Sequence, residues 1–223
     1  MRRIPEEELM TGNDQARAYA SADFEEPHSA VIRLFQETFG HTLPGSDVLD
    51  LGCGPGDITF RFARAYPACT IHGVDGSEAM LAEARQALSR SPELAGRVLF
   101  MQGMLPDIEL PLPQYDVVIS NSLLHHLPDP AVLWETIKCC AAPGAAVFIV
   151  DLRRPATIAE ARRLTGLYSS REPAILQRDF YNSLRAAFEP AEIREQLNTA
   201  GLAGFDVRET SDRHVMIAGV MKA

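Results

Sequence analysis

The sequence predicts one α/β domain on a doubly wound, Rossmann-like sheet, and three observations predict it. Val48-Leu49-Asp50-Leu51 is a short apolar run carrying an acid, the pattern of a buried parallel strand. Gly52, Gly54 and Gly56 follow at every second position, so the backbone there can approach a ligand with no side chain between. A second apolar run, from Cys69 to Val74, ends in Asp75 about twenty residues later, where such sheets present a carboxylate to a pair of ribose hydroxyls. Strand, glycine loop, helix, strand and acid make a nucleoside-binding βαβ unit.

The loop spacing distinguishes between nucleosides. A dinucleotide fingerprint spaces its glycines G-x-G-x-x-G and seats a pyrophosphate on the helix N-terminus. This chain has G-x-G-x-G, with Asp50 two residues before the first glycine; a carboxylate there repels phosphate and suits a ligand bearing an amino group. In these residues the chain resembles the class I S-adenosylmethionine-dependent methyltransferases, whose first motif is an acid followed by this glycine triplet and whose second is an acid closing the next strand. The resemblance runs over roughly residues 46 to 151. It takes Val98 to Met101 with Gly103 as a third strand and its turn, and Tyr115 to Asn121 as a fourth. Leu123-Leu124-His125-His126-Leu127 is similar to the LHHL turn of small-molecule enzymes in that class, and Pro143-Gly144 looks like the loop before a fifth strand at Ala146 to Val150. The resemblance implies a seven-stranded sheet with the last strand antiparallel.

It also implies S-adenosyl-L-methionine as cofactor. Gly52, Cys53, Gly54 and Gly56 would line its methionine moiety, with Asp50 near the amino group. Asp75 would hold the ribose, with Gly76, Ser77 and Met80 beside it, and Asn121 and Ser122 would close the site from the fourth strand. Many relatives place an acid after the glycine of the third motif, whereas this chain has Met104 after Gly103; a thioether is a weak acceptor, so the adenine is expected to be held by apolar contact.

The remaining elements follow from periodicity. Ile58, Phe62 and Ala65 form one face of the helix after the glycine loop, and Met80, Leu81, Ala84, Ala87 and Leu88 repeat at helical spacing after the cap candidate Ser77. Leu133, Ile137 and Cys140 do the same between the fourth and fifth strands. Residues 152–188 break the alternation with helical stretches at Pro155 to Tyr168 and about Asp179 to Phe188, an insertion on the substrate side. Glu189-Pro190 opens a further helix that Gly201 stops, and strands follow at Phe205 to Arg208 and Val215 to Val220. Residues 1–44 hold a segment from Gln15 to Phe24 and a helix with Val31, Leu34 and Phe35; they resemble an N-terminal helical lid, with Tyr19 as the residue expected over the cofactor. All of this fits a single domain spanning 1–223.

Composition narrows the function. The 223 residues are 46% hydrophobic, enough for one well-buried core. No run of eighteen apolar residues appears and the acid-rich start lacks a signal-peptide core, so a cytoplasmic protein with no membrane partner is expected. Cys53, Cys69, Cys139 and Cys140 lack paired metal spacing, so neither zinc nor a disulfide is expected. A net charge of −9 argues against nucleic acid as a partner, because phosphate backbones demand basic surface. The oligomeric state is left open.

Residues 151 to 190 are nevertheless locally positive, with seven arginines against five acids. Arg153, Arg171 and Arg178, with Tyr168 and Tyr181, are the candidate substrate-binding groups, since a guanidinium fork suits a carboxylate or phosphate. The plain alternative is a solvated helix face, because nineteen of the 21 basic residues are arginine throughout. Methyl transfer to a small molecule, with an anionic one favoured, needs mainly alignment, and a base only where the nucleophile must lose a proton. His125 and His126 are the first candidates for that work and Asp151 and Tyr181 the weaker ones; structural packing of the histidines is the alternative. Three rival functions stay open: a cofactor-using enzyme with non-methyl chemistry, a non-catalytic cofactor-sensing or partner-binding protein, and a nicotinamide oxidoreductase, which the loop spacing and Asp50 disfavour.

Overall fold

Five short apolar runs become parallel strands because residues alternate between two buried faces, each covered by helices. The computed structural model describes residues 1–6, 9–43 and 45–222; Glu7, Glu8 and Pro44 of the 1–44 segment, and Ala223, lie outside the described residues. The strands are β1 (Asp47–Leu51), β2 (Thr70–Asp75), β3 (Val98–Gln102), β4 (Tyr115–Asn121), β5 (Ala141–Leu152), β6 (Asp206–Glu209) and β7 (His214–Val220). They form one seven-stranded sheet in the order β3-β2-β1-β4-β5-β7-β6. The first five are parallel, and β7 enters antiparallel between β5 and β6. The chain winds one way from β1 to β3 and the other from β4, so the crevice opens beyond the carboxyl ends of β1 and β4.

The helices are α1 (Asn13–Ser21), α2 (Glu25–Phe39), α3 (Asp57–Ala65), α4 (Glu78–Ser89), α5 (Ala131–Cys140), α6 (Ile158–Tyr168), α7 (Ala174–Ala186) and α8 (Pro190–Thr199). One face of the sheet packs Val117, Ile119, Phe148 and Val150 against Phe35 of α2 and Phe62 of α3. The other packs Val118, Val147 and Ile149 against Leu133, Trp134 and Ile137 of α5 and Ile193 and Leu197 of α8. Neighbouring strand residues thus belong to opposite cores. Phe35 meets Phe62 and Phe148 edge-on, with ring centroids 4.9 and 5.3 Å apart. A third, smaller cluster of Leu152, Leu164, Leu184 and Ala187 joins α6 and α7 to the end of β5.

Local signals explain the boundaries. The Ser77 hydroxyl accepts from the Met80 amide and caps α4, Thr157 does the same for α6, and α8 opens on a reciprocal Glu189–Glu192 capping box with Pro190 in its first turn. Two expected boundaries need correction. Pro143-Gly144 is not a loop before β5 but lies inside it: Tyr115 pairs with Ala141 and Val117 with Ala146, so the extra residues bulge out of an otherwise continuous strand. The helix expected from Asp179 starts instead at Ala174, because Pro173, whose φ is fixed, precedes it as the cap.

Residues 1–6 run as a strap across the molecule. The Ile4 amide donates to the Arg185 carbonyl, and Arg3 donates to the carbonyls of Ala186, His125 and Leu127 while its guanidinium covers the Phe188 ring at 4.0 Å. The strap therefore holds the turn after β4 to the α7–α8 junction.

Candidate functional site

A cavity of about 980 Å³ lies over the carboxyl ends of β1, β2, β4 and β5, at the switch point. Its floor is the glycine loop. The amides of Gly52 and Cys53 both donate to the Val74 carbonyl, at 2.8 and 3.0 Å, which ties the loop to β2. Gly52 has φ of +72°, and a Cβ there would lie 2.9 Å from Leu123, so glycine is required twice over. Gly54, with φ of +52°, has open space on its side-chain side; that space belongs to the cavity. Gly56, left-handed, caps α3.

Two carboxylates flank this loop. Asp75 accepts from the Gly54 amide at 2.9 Å on one oxygen and from the Ser77 amide at 2.8 Å on the other, so its orientation is set by backbone. Burial still raises its pKa. Asp50 is 1% exposed and accepts a 2.6 Å bond from the Thr59 hydroxyl. Burial pushes its carboxyl up to about 7, the Thr59 bond opposing and Asp75 adding to the rise. The cavity thus offers two partly frustrated acids beside a bare backbone, which suits a ligand with an ammonium group at one end and vicinal hydroxyls at the other.

The walls bring together most of the expected cofactor residues. Tyr19, Asp50, Gly52, Cys53, Gly54, Asp75, Gly76, Ser77 and Met80 line the cavity, as do Gly103, Met104, Asn121 and Ser122. Gly56 alone of that set lies off the wall, as the cap beneath the loop. Burial pushes the Tyr19 phenol up to about 12 and holds the Cys53 thiol well above its usual range, so both stay neutral. Ser122 takes φ of +58°, rare for a residue with a side chain, and swings the chain from β4 into the histidine turn.

At that turn, Leu124–His126, both histidines line the cavity. Asp151 organises it: one oxygen accepts from the Leu124 amide at 2.7 Å, the other from the Leu152 amide and from His125 Nδ1, both at 2.6 Å. Burial disfavours a charged His125 ring, but the Asp151 and Glu6 carboxylates outweigh it and raise the pKa. Asp151, expected as a weaker acid–base candidate, is 2% exposed and absent from the cavity wall; it bonds His125 instead of facing the acceptor.

The substrate-side expectations need most correction. Of the five residues, Tyr168 alone reaches the cavity wall. Arg153 turns to Glu209, Arg178 is exposed beside Asp179, Arg171 is exposed, and Tyr181 lies under Arg185. Helix α7 presents Leu176, Asp179, Phe180 and Ser183 inward instead, and its register puts Arg178 and Tyr181 off the cavity wall. The cation that does line the substrate side is Arg213, from the turn between β6 and β7, stacked 3.4 Å from the Tyr168 ring centroid while that phenol donates to Asp212. Ser211, Asp212 and His214 line the wall with it, and burial pulls His214 down to about 4. Periodicity does not reveal this turn, but antiparallel insertion of β7 does: His214 pairs with Leu152, so the turn before β7 falls at the carboxyl ends of the parallel strands.

Two further groups carried no sequence signal. His28 of α2 bonds Asp57 of α3 at 2.6 Å, and Arg61 bridges Asp57 and Glu25, which latches α2 to the helix behind the glycine loop. Glu6 of the strap brings Oε1 within 3.6 Å of His125 Nε2 and 3.4 Å of His126 Nδ1.

Residues 48–144 match a family described as a methyltransferase domain. The chain is 36% identical over 130 residues to a trans-aconitate 2-methyltransferase of Deinococcus radiodurans, covering 56% of this chain and 45% of that one. It is 32% identical over 172 residues to a trans-aconitate 2-methyltransferase of Methylobacterium radiotolerans, covering 75% and 62%. The chain thus spans about half the length of these curated relatives. Among solved structures it superposes on a plantazolicin methyltransferase in complex with a triazolic desmethylPZN analog and SAH, with a TM-score of 0.71, 15% identity and coverage of 94% and 91%, a likeness of fold.

Proposed function

We propose that this protein transfers a methyl group from S-adenosylmethionine to a small anionic molecule: residues 48–144 match a methyltransferase-domain family, and the seven-stranded sheet with its antiparallel last strand is the one expected of the class I enzymes. The observation that carries the reading is Asp75, fixed by the Gly54 and Ser77 amides beside a buried Asp50 in one cavity. Asp75 receives the ribose hydroxyls, Asp50 the ammonium group, and Gly52 to Gly54 the chain between them. Met80, Gly103 and Met104 supply apolar contact to the adenine, and Tyr19 covers the site from α1.

When bound, S-adenosylmethionine supplies a methyl group already activated by its sulfonium. The protein's own contribution is alignment: the glycine loop and the two acids fix one partner, and the turn after β4 and the turn before β7 receive the other. Arg213 takes the anionic end of the acceptor. Its guanidinium is held over the Tyr168 ring and pairs through Nη1 with Asp212 at 3.2 Å, and only 13% of its side chain is exposed, so little side-chain freedom is lost when its other N–H groups meet the acceptor. Arg61, the other cavity-lining arginine among the described residues, is already committed to Asp57 and Glu25. His125 and His126 stand where the acceptor's reacting atom arrives, and α1, α2, α6 and α7 exclude water around it. Relatives that are trans-aconitate methyltransferases support an anionic acceptor of the carboxylate class.

The test is to incubate the full chain with S-adenosylmethionine and a panel of small carboxylates, phenols and amines, following S-adenosylhomocysteine and methylated product by mass spectrometry. Methylated carboxylate at a rate well above the no-enzyme control is expected. Turnover of the cofactor with no methylated product would replace methyl transfer by other cofactor chemistry.

A further inference from the structure

We propose that Glu6, His125 and His126 form a divalent transition-metal site at the acceptor edge of the cavity. Three donor atoms converge there: Glu6 Oε1 lies 3.6 Å from His125 Nε2 and 3.4 Å from His126 Nδ1, and all three fall within 4.8 Å of one another. Metal–ligand bonds of about 2.0–2.1 Å at a tetrahedral ion separate neighbouring ligand atoms by about 3.3 Å. The two spacings from Glu6 are near that value and longer than good hydrogen bonds between the same atoms.

Independent features point the same way. Glu6 Oε1 is buried and accepts no hydrogen bond among the described residues, a costly state for a carboxylate oxygen and one that a cation removes. His125 is held through Nδ1 by Asp151 at 2.6 Å, which leaves Nε2 aimed at Glu6. A ligating imidazole whose other nitrogen is bonded to a carboxylate is the usual support of a metal-bound histidine. Besides His125 and the Ser183 hydroxyl, the carboxylates of Asp179 and Asp151 act on Glu6, while the nearby Arg3 is engaged by three backbone carbonyls.

The ligand set names the class of ion. Two imidazoles and one carboxylate suit zinc, iron(II) or manganese(II), whereas magnesium and calcium prefer oxygen cages. Both histidines line the cavity, so the remaining coordination positions face the acceptor. In this role, which rests on the methyl-transfer reading, a carboxylate oxygen of the acceptor, already ionised near neutral pH, binds the ion, so no base is needed. Its lone pair stays on oxygen for attack, and the imidazoles act as ligands and not as base. The strap that carries Glu6 then completes the site.

Equilibrium dialysis of the untagged, chelator-stripped full chain against zinc, read by elemental mass spectrometry, tests this. One zinc per chain is expected, retained when the exposed Cys139 is replaced in Cys139→Ser, with binding at least 10-fold weaker in Glu6→Gln and His126→Ala. Cobalt(II) in the wild-type chain should give the visible absorption of a low-coordinate nitrogen and oxygen site, a readout that needs no variant to fold. Zinc uptake unaffected by Glu6→Gln, or absent while the chain binds S-adenosylhomocysteine, overturns the metal site and leaves Glu6 as a strap contact to a charged histidine. Failure of the methyl-transfer reading shows separately, as absent S-adenosylhomocysteine binding.

Discussion

Replacing Asp50 by asparagine should stabilise the ligand-free protein and weaken it as a binder. The carboxyl has a pKa of about 7 against an ordinary 3.8, and each unit is about 1.4 kcal/mol, so keeping it ionised in place costs on the order of 4 kcal/mol above pH 7. Asparagine still accepts from Thr59 but buries an amide that needs a partner, at about 1–3 kcal/mol. The net gain is about 1–3 kcal/mol, or about 2–4 °C of Tm per kcal/mol for a chain of this size. Because the folded pKa lies above the unfolded one for an acid, the penalty grows as pH rises from about 4 to 7, so the gain should shrink below pH 7 and turn into a loss toward pH 4, where only the cost of the amide remains. Binding moves the other way. Losing one charge-assisted bond to an ammonium, about 1.5–3 kcal/mol, weakens S-adenosylhomocysteine about 10- to 150-fold. The wild type should lose affinity as pH falls below about 7, when Asp50 takes up its proton, and Asp50→Asn should lack that slope. Calorimetry of both chains with and without ligand checks all of this; a destabilised variant with unchanged affinity would refute the assignment of Asp50.

Further outcomes follow from the same geometry. Gly52→Ala meets a left-handed φ, costing about 1–2 kcal/mol, and crowds Leu123, so circular dichroism should show a Tm lower by several degrees and calorimetry a lost ligand site. Arg213→Ala should raise the acceptor KM about 10- to 100-fold while leaving S-adenosylhomocysteine affinity alone; an unchanged KM would remove Arg213 from the acceptor site. Phe35→Ala, at a position 1% exposed between two edge-on rings, should cost about 3–5 kcal/mol in urea unfolding.

The strands and the glycine floor were legible because they are local: the family resemblance placed β4 at Tyr115 to Asn121 around the apolar run Val117-Val118-Ile119, and Gly52 to Gly56 with Asp75 name their own loop. The Pro143-Gly144 bulge was not, because proline and glycine carry the same signal in a loop as in an interrupted strand. The acceptor side was least legible. The choice of Arg153, Arg171 and Arg178 followed local charge density, whereas the register of α7 and the antiparallel entry of β7 decide which groups face inward, and these depend on distant pairings. Glu6 looked like one acid in a solvated start and reaches the histidines because Arg3 is docked on carbonyls more than a hundred residues away.

The measurement that bears most directly on the central claim is titration of S-adenosylhomocysteine into the wild-type chain and into Asp75→Ala. Single-site binding, lost in a variant that keeps its circular dichroism spectrum, is the predicted result, with no binding of NAD. A folded wild type that ignores S-adenosylhomocysteine, or an Asp75→Ala variant that binds it as tightly, would contradict the account.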